Sequence, residues 1–455
     1  MMRVLVLLFF VVTLPFLDWS GIAQAFHGGG VGPCEGCHTM HNSLGNMRMA
    51  YNSVPQFTSN AYLLQGSDQS STCLNCHAGQ GSYHVASTGT ITSTSIPANY
   101  TPAGDFAWLK VSTSALASDG VTMVDNPGFL HGHSIVAADY GYDGSSNVSA
   151  AEGGTYPALA LGCQSCHDPH GGYRINSAYR AVGPSAVGQQ VPPIIGPGSY
   201  GDKDPGTLST GNNGLGEAVG TYRLLAGSGY SPHSLNGSYL FANDPPFAFS
   251  PTLYNKAENG VSDQTIVAYG SGMSEWCQNC HTNIHDALNP TYLQHPTGNA
   301  AKLTADLINN YNSYVYTGNL SGSAATAYLS LVPFERGVSL MSGTWSLLLS
   351  SVGATNGPDA NSNVQCLTCH RAHASAWPYL LRFNADTGPA ITIPGPFMTI
   401  SGAYPGIDST VAEGTYGQYT LGYSQAQQQA GYYGRPASQW ATYQRSLCNK
   451  CHVQD

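Results

Sequence analysis

Charge is what this chain has least of: Asp, Glu, Lys and Arg together make up 9% of its 455 residues. Long amphipathic helices need a charged face, and 54 glycines beside so few charges are poor helix-forming material. The composition therefore predicts an irregular, coil-dominated chain with a few short helices and minimal β-structure. A second long apolar run is also missing. The first, Val4 to Leu17 after Arg3, is too short to span a bilayer and ends in the small-x-small sequence Ala23-Gln24-Ala25. We read residues 1–25 as a signal peptide and residues 26–455 as a single exported unit with no membrane span. Basic clusters are wanting too, and a formal charge of −10 argues against nucleic acid as a partner.

No cysteine is left over for a disulfide. All twelve fall in six Cys-x-x-Cys pairs, each followed at once by histidine: Cys34/Cys37/His38, Cys73/Cys76/His77, Cys163/Cys166/His167, Cys277/Cys280/His281, Cys366/Cys369/His370 and Cys448/Cys451/His452. The chance of six such coincidences is on the order of 10⁻⁹, and the pattern is the attachment site of a c-type haem. The two thiols add to the porphyrin vinyl groups, and the adjacent imidazole lies under the iron as proximal ligand. Cys-x-x-Cys spacing alone would also suit a Cys₄ zinc site, but six trailing histidines argue for haem. Six covalent haems would give this chain the core that its side chains cannot. Their propionates would make it more acidic still, favouring oxidised metal, a cationic surface or another redox protein as partner.

Ten of the 16 histidines remain after the six proximal ones, and six distal ligands would make every iron bis-histidine. The nine methionines show no recurring placement relative to the motifs. His41, His170, His285 and His373 each follow a proximal histidine by three or four residues and are fixed in direction by it. His170 lies on the same side of the macrocycle as His167, so it reaches a neighbouring haem and not its own. His27, His84, His133 and His295 are further candidates, which leaves two of the eight unused. His131 and His233 we set aside.

The motifs recur at intervals of 39, 90, 114, 89 and 82 residues, which excludes a solenoid of equal repeats. The short first interval predicts that haems one and two form a close pair. The stretch from Ala86 to Gly162 allows short strands and turns. The glycine-, proline- and tyrosine-rich interval from Gly171 to Glu275 predicts coil over the haem faces, tyrosine rings inward and hydroxyls outward. Apolar spacing predicts a helix over Ala301 to Tyr316, and a short Gln/Ala helix is expected over Ser424 to Ala430. Distal ligands crossing between segments would leave no place to divide the chain.

The opening FHGGGVGPCEGCHTMHNS, with CQSCHDPHG, GMSEWCQNCH, CLTCHRAHAS and the ending YQRSLCNKCH, resembles the OmcS-type hexahaem outer-surface cytochromes of metal-reducing bacteria. The resemblance runs through nearly all of the mature chain. It implies protomers polymerised into extracellular filaments, haems stacked in parallel pairs that meet neighbouring pairs edge-on, and mostly coil backbone. It also implies that His41, by its place in CHTMH, ligates a haem of the next protomer, the one held by Cys366, Cys369 and His370. His131 and His233 lie outside that pattern. One departure is Ala78-Gly79 after CLNCH, where a relative can carry a further histidine.

The function expected is electron conduction to extracellular acceptors such as metal oxides or electrodes, not enzyme catalysis. A multihaem reductase would need one iron with an open position, often marked by an altered motif, whereas all six here end in histidine. A monomeric periplasmic shuttle shares every local feature and differs in where His41 binds.

Overall fold

The computed structural model describes residues 34–39, 63–79, 84–88, 96–97, 100–116, 122–170, 224–235, 237–246, 266–284, 295–315, 319–327, 330–337, 357–384, 421–434 and 447–453, with short strand segments at 43–44, 47–48, 174–176, 181–182, 217–218 and 248–249. The expected signal peptide, His27, His41, His285 and the side chain of Cys34 lie outside these residues.

Within them the chain is coil tied by short elements. Its longest helices, Gln69–His77 and Ala305–Ser313, have nine residues each. The largest sheet has four strands, Ala248–Phe249, Ala268–Gly270, Glu335–Arg336 and Ser362–Asn363, paired antiparallel, parallel and antiparallel in that order. A separate hairpin pairs Thr113–Leu116 with Met123–Asn126. No helix among the described residues is long and apolar enough to cross a membrane.

The helix expected over Ala301 to Tyr316 is shorter at both ends. Thr304 caps it, its hydroxyl accepting from the Leu307 N–H at 3.4 Å, so Ala301 to Leu303 stay outside. Tyr314 is already extended. Leu303 and Tyr314 are nevertheless buried, so the apolar spacing marked the buried face and overran the helix. The second expected helix spans Gln425–Gly431, with the Ser424 hydroxyl accepting from Gln427 N–H at 3.2 Å.

Aromatic rings dominate the larger core cluster, where Trp108, Trp377, Tyr423, Tyr432, Phe106 and Phe383 gather. Where tyrosines of the Gly171 to Glu275 interval are described, outward hydroxyls are not found at Tyr230 or Tyr239, the latter donating to the Asn279 carbonyl at 2.6 Å. Tyr230, from the interval in question, donates to the Gln164 carbonyl at 2.6 Å, and Tyr423, fully buried, donates to the Ala376 carbonyl at 2.6 Å. A ring sealed in a core cannot leave its hydroxyl unpaired, so the chain brings carbonyls to it.

His131 belongs to this core. Its Nδ1 meets the Trp108 carbonyl at 3.0 Å, and its Nε2 meets Asn126 Oδ1 at 2.9 Å and the Tyr423 hydroxyl at 3.2 Å. Burial lowers its pKa from 6.5 to about 4. Unfolding therefore adds a proton below the ordinary histidine pKa. The stabilisation is complete above that value and is lost as pH falls toward 4, by on the order of 3 kcal/mol. Unfolding followed against pH should show this acid limb, flattened in His131→Asn.

Candidate haem-binding sites

The motifs sit on short helical elements: Cys34–Cys37, Cys366–Cys369 and Asn449–His452 are single turns, motif two closes the helix Gln69–His77, motif three opens on the 3-10 turn Cys163–Ser165, and motif four starts at the last residue of Met273–Cys277 and continues as a turn. Spacing of three puts both cysteines on one face of such a turn. The imidazole-bearing residue closes it by donating its N–H to the first cysteine carbonyl, at 3.0 Å for His167, His281 and His452 and 2.9 Å for His370.

A second device, which the sequence reading missed, holds motifs one, three and five. Leu63, Leu224 and Leu380 adopt the left-handed backbone conformation, with φ of 51°, 58° and 61°. Each points its carbonyl at the residue after the proximal histidine: Thr39 N–H donates to Leu63 at 2.6 Å, Asp168 N–H to Leu224 at 2.9 Å and Arg371 N–H to Leu380 at 2.8 Å. Two residues beyond each leucine, the N–H of Gln65, Ala226 or Arg382 donates back to the second cysteine carbonyl at 2.8 to 2.9 Å. A left-handed leucine costs about 1–2 kcal/mol, so the clamp holds against strain. Its sequence signal is a leucine doublet, Leu63-Leu64, Leu224-Leu225 and Leu380-Leu381.

Adjacent motifs meet by a third recurring contact. Ser70, three residues before Cys73, accepts the Cys163 N–H at 3.0 Å; Ser274, three before Cys277, accepts the Cys366 N–H at 3.1 Å. A neighbouring thiol and burial push the Cys73 thiol up next to Cys163 and the Cys277 thiol up next to Cys366. Motif two thus touches three, and four touches five, in the same way.

The remaining histidines stand opposite the motifs. Ring centroids are 6.4 Å apart for His38 and His170, 6.1 Å for His281 and His133, 6.3 Å for His167 and His373, and 6.2 Å for His452 and His295. Every pair joins one imidazole that follows a Cys-x-x-Cys with one that does not. Two imidazoles holding one metal between them would have ring centres about 6.2 Å apart, from a metal–nitrogen bond of about 2.0 Å and about 1.1 Å from nitrogen to ring centre. A shared metal would leave the ring planes free to turn, and the interplanar angles run from 10° to 81°. These residues fit an iron held from both faces.

Imidazole must be neutral to ligate. Burial, with His167 and His133 nearby, holds His373 down to about 3, and burial beside His281 holds His133 down to about 4. Backbone carbonyls fix the tautomer: Nδ1 of His133 meets Ala372 O at 2.7 Å, that of His281 meets Glu152 O at 2.8 Å, that of His295 meets Pro296 O at 3.0 Å and that of His370 meets Tyr379 O at 2.7 Å. Nε2 is left for a metal, and the carbonyl makes the ring a stronger donor to it. His131 has both ring nitrogens engaged by protein groups instead.

His133 and His373 ride on one strip of backbone. His373 N–H donates to Ala103 O at 2.7 Å and His133 N–H to His373 O at 2.9 Å. A Cβ on Gly104 would lie 1.8 Å from the Ala374 carbonyl, so only glycine allows this approach. His84 lies with its ring over Gly79, and His233 opens the 3-10 turn His233–Leu235. Among the described residues no second imidazole stands opposite His370, and no three His, Cys, Asp or Glu side chains gather as in a zinc centre.

No protein-family model matches the chain. It is 45% identical over 439 residues to the C-type cytochrome OmcS of Geobacter sulfurreducens, covering 95% of each chain. This chain belongs to the OmcS family of c-type cytochromes. Two solved structures, an outer membrane cytochrome S filament and the OmcS nanowires of Geobacter sulfurreducens, are 42% identical to it, with TM-scores of 0.75 and 0.77 over 94% of this chain and all of theirs. Like other c-type cytochromes, this OmcS relative carries covalently bound haem. The coil-dominated fold with few short helices and minimal sheet is the OmcS fold.

Proposed function

We propose that this protein is an exported electron conduit, not an enzyme, whose copies join head to tail in an extracellular filament. The reading rests on the four imidazole pairs at the spacing of a shared iron. Each haem supplies, when bound, a one-electron ferric/ferrous couple that two imidazole ligands keep low-spin and at lower potential than Met/His ligation. The chain contributes spacing, burial and fixed ligands, so that little rearranges when the oxidation state changes. Filament formation and a place on the outer cell surface are carried over from the OmcS structures. Other redox cytochromes are the donors this implies, and metal oxides or electrodes the acceptors.

The count of six haems follows from six intact motifs, with Cys34, Cys37, Cys73, Cys76, Cys163, Cys166, Cys277, Cys280, Cys366, Cys369, Cys448 and Cys451 as thioether sites. The ligand set follows from a rule of two. His170, three residues after proximal His167, stands against His38; His373, three after His370, stands against His167. Each serves the haem two motifs earlier. His41, three residues after His38, then serves the fifth haem of the next copy, opposite His370. The even haems obey a parallel rule. His133 precedes motif three and faces His281 of motif four, while His295 precedes motif five and faces His452 of motif six. His27, preceding motif one, then faces His77, which leaves His84 and His285 as the unused pair.

His295→Ala should leave one iron in six with a single imidazole, read as a high-spin absorption band and carbon monoxide binding. His84→Ala and His285→Ala should leave the low-spin spectrum unaltered. A His295→Ala protein with six low-spin haems would overturn the ligand set.

A further inference from the structure

Two carboxyl groups lie beside the fourth attachment helix. Glu335, in the four-stranded sheet, is fully buried, and Glu275, two residues before Cys277 on Met273–Cys277, is half-buried. Glu335 Oε1 accepts from Asn363 Nδ2 at 3.4 Å. Glu275 Oε1 accepts the Asn299 N–H at 2.7 Å. The second oxygen of each, Glu335 Oε2 and Glu275 Oε2, is buried without a hydrogen-bond partner. Arg336, next along the strand, pairs with Asp359, and Lys302, on the chain bridged to Asn363, is exposed. Asn363 Nδ2 also donates to the Asn299 carbonyl at 3.4 Å, so Asn299 and Asn363 tie the two carboxyls into one neighbourhood. Burial and the charge of Glu275 push Glu335 up to about 8. An orphaned buried carboxyl oxygen beside a second carboxyl is satisfied by one proton held between them.

The pair also has an exit and a neighbour. Glu275 is partly exposed where Glu335 is fully buried, and the helix bearing Glu275 and Cys277 meets motif five through Ser274, whose hydroxyl accepts the Cys366 N–H. We propose that Glu335 and Glu275 form a redox-linked proton site, Glu335 releasing its proton through Glu275 to water on oxidation of the fourth or fifth haem. The iron gains one positive charge, the carboxyl one negative charge, the proton goes to water and the electron moves on along the conduit. The inference rests on the haem reading above.

The test is a redox titration of the six-haem protein from about pH 6 to about pH 9. One midpoint potential should fall by up to about 59 mV per tenfold fall in proton concentration. An infrared difference spectrum should lose a protonated-carboxyl band on oxidation. In Glu335→Gln, with all six haems still bound, both effects should vanish. An unchanged slope in that variant overturns the proposal, as does a wild-type spectrum without the carboxyl band, which decides the matter even where the variant fails to load haem. Potentials that shift on adding a chelator would also overturn it, because the pair would then hold a cation. Absence of haem from motif four or five in the wild-type protein would instead sink the haem reading.

Discussion

His41→Ala is expected to give a protein that binds six haems and forms no filaments. The imidazole of His370 is held as those of His133, His281 and His295 are, its Nδ1 engaged by the Tyr379 carbonyl at 2.7 Å, which would leave Nε2 to hold an iron. Within the described residues nothing stands opposite it, although four other motifs have their second imidazole in place. The rule that carries His170 and His373 back by two motifs carries His41 out of its own copy. Under the proposed ligand set, its loss would remove a metal bond from every subunit contact. Electron microscopy should show single particles, and one iron in six should become high-spin. Added imidazole should restore the low-spin spectrum without restoring polymer. Filaments of normal length from His41→Ala would refute the shared ligand and favour a diffusing carrier.

Replacing Cys163 and Cys166 together with serine is expected to abolish the fold, not to subtract one haem from it. Among the described residues, several distant segments meet at the third motif. Cys163 packs on the larger core cluster and takes the Ser70 hydroxyl on its N–H; Tyr156 holds Ser165 at 2.6 Å; Tyr230 holds the Gln164 carbonyl. Leu224 and Ala226 clamp the same turn, and His373 arrives from motif five. Without the haem these segments would close on a cavity bordered by imidazoles held 6.3 Å apart. Against a net stability of about 5–15 kcal/mol for a whole domain, that is a loss the chain cannot absorb. Secreted yield and resistance to protease should both fall to background. The same change at Cys448 and Cys451, near the chain end, should be milder. Recovery of a stable five-haem filament from the Cys163/Cys166 variant would show that side-chain packing alone suffices.

The six motifs were legible because a covalent site must be local: two thiols and an imidazole have to lie on one turn, so they sit within five residues. The coil-rich fold was legible from the shortage of charge and the surplus of glycine. Helix ends were not, because Thr304 capping decides where Ala305–Ser313 begins, while the buried flanks Leu303 and Tyr314 continue the apolar spacing. The clamp escaped notice because a leucine doublet is common and its left-handed turn shows only once its carbonyl has a target. The order by twos was hidden by intervals between 39 and 114 residues. Loop length is cheap in free energy, so spacing along the chain drifts while spacing between rings cannot.

The recurrence by twos constrains how such a molecule can change size. A chain lengthened or shortened by two motifs keeps each odd imidazole pointing at an odd iron and each leading histidine at an even one. A single added motif would exchange the classes, sending donors to turns built without the leucine clamp and stranding one imidazole at each end. Growth and loss in this lineage should therefore respect parity, with relatives of four or eight haems able to reuse these junctions and relatives of five or seven having to invent new ones.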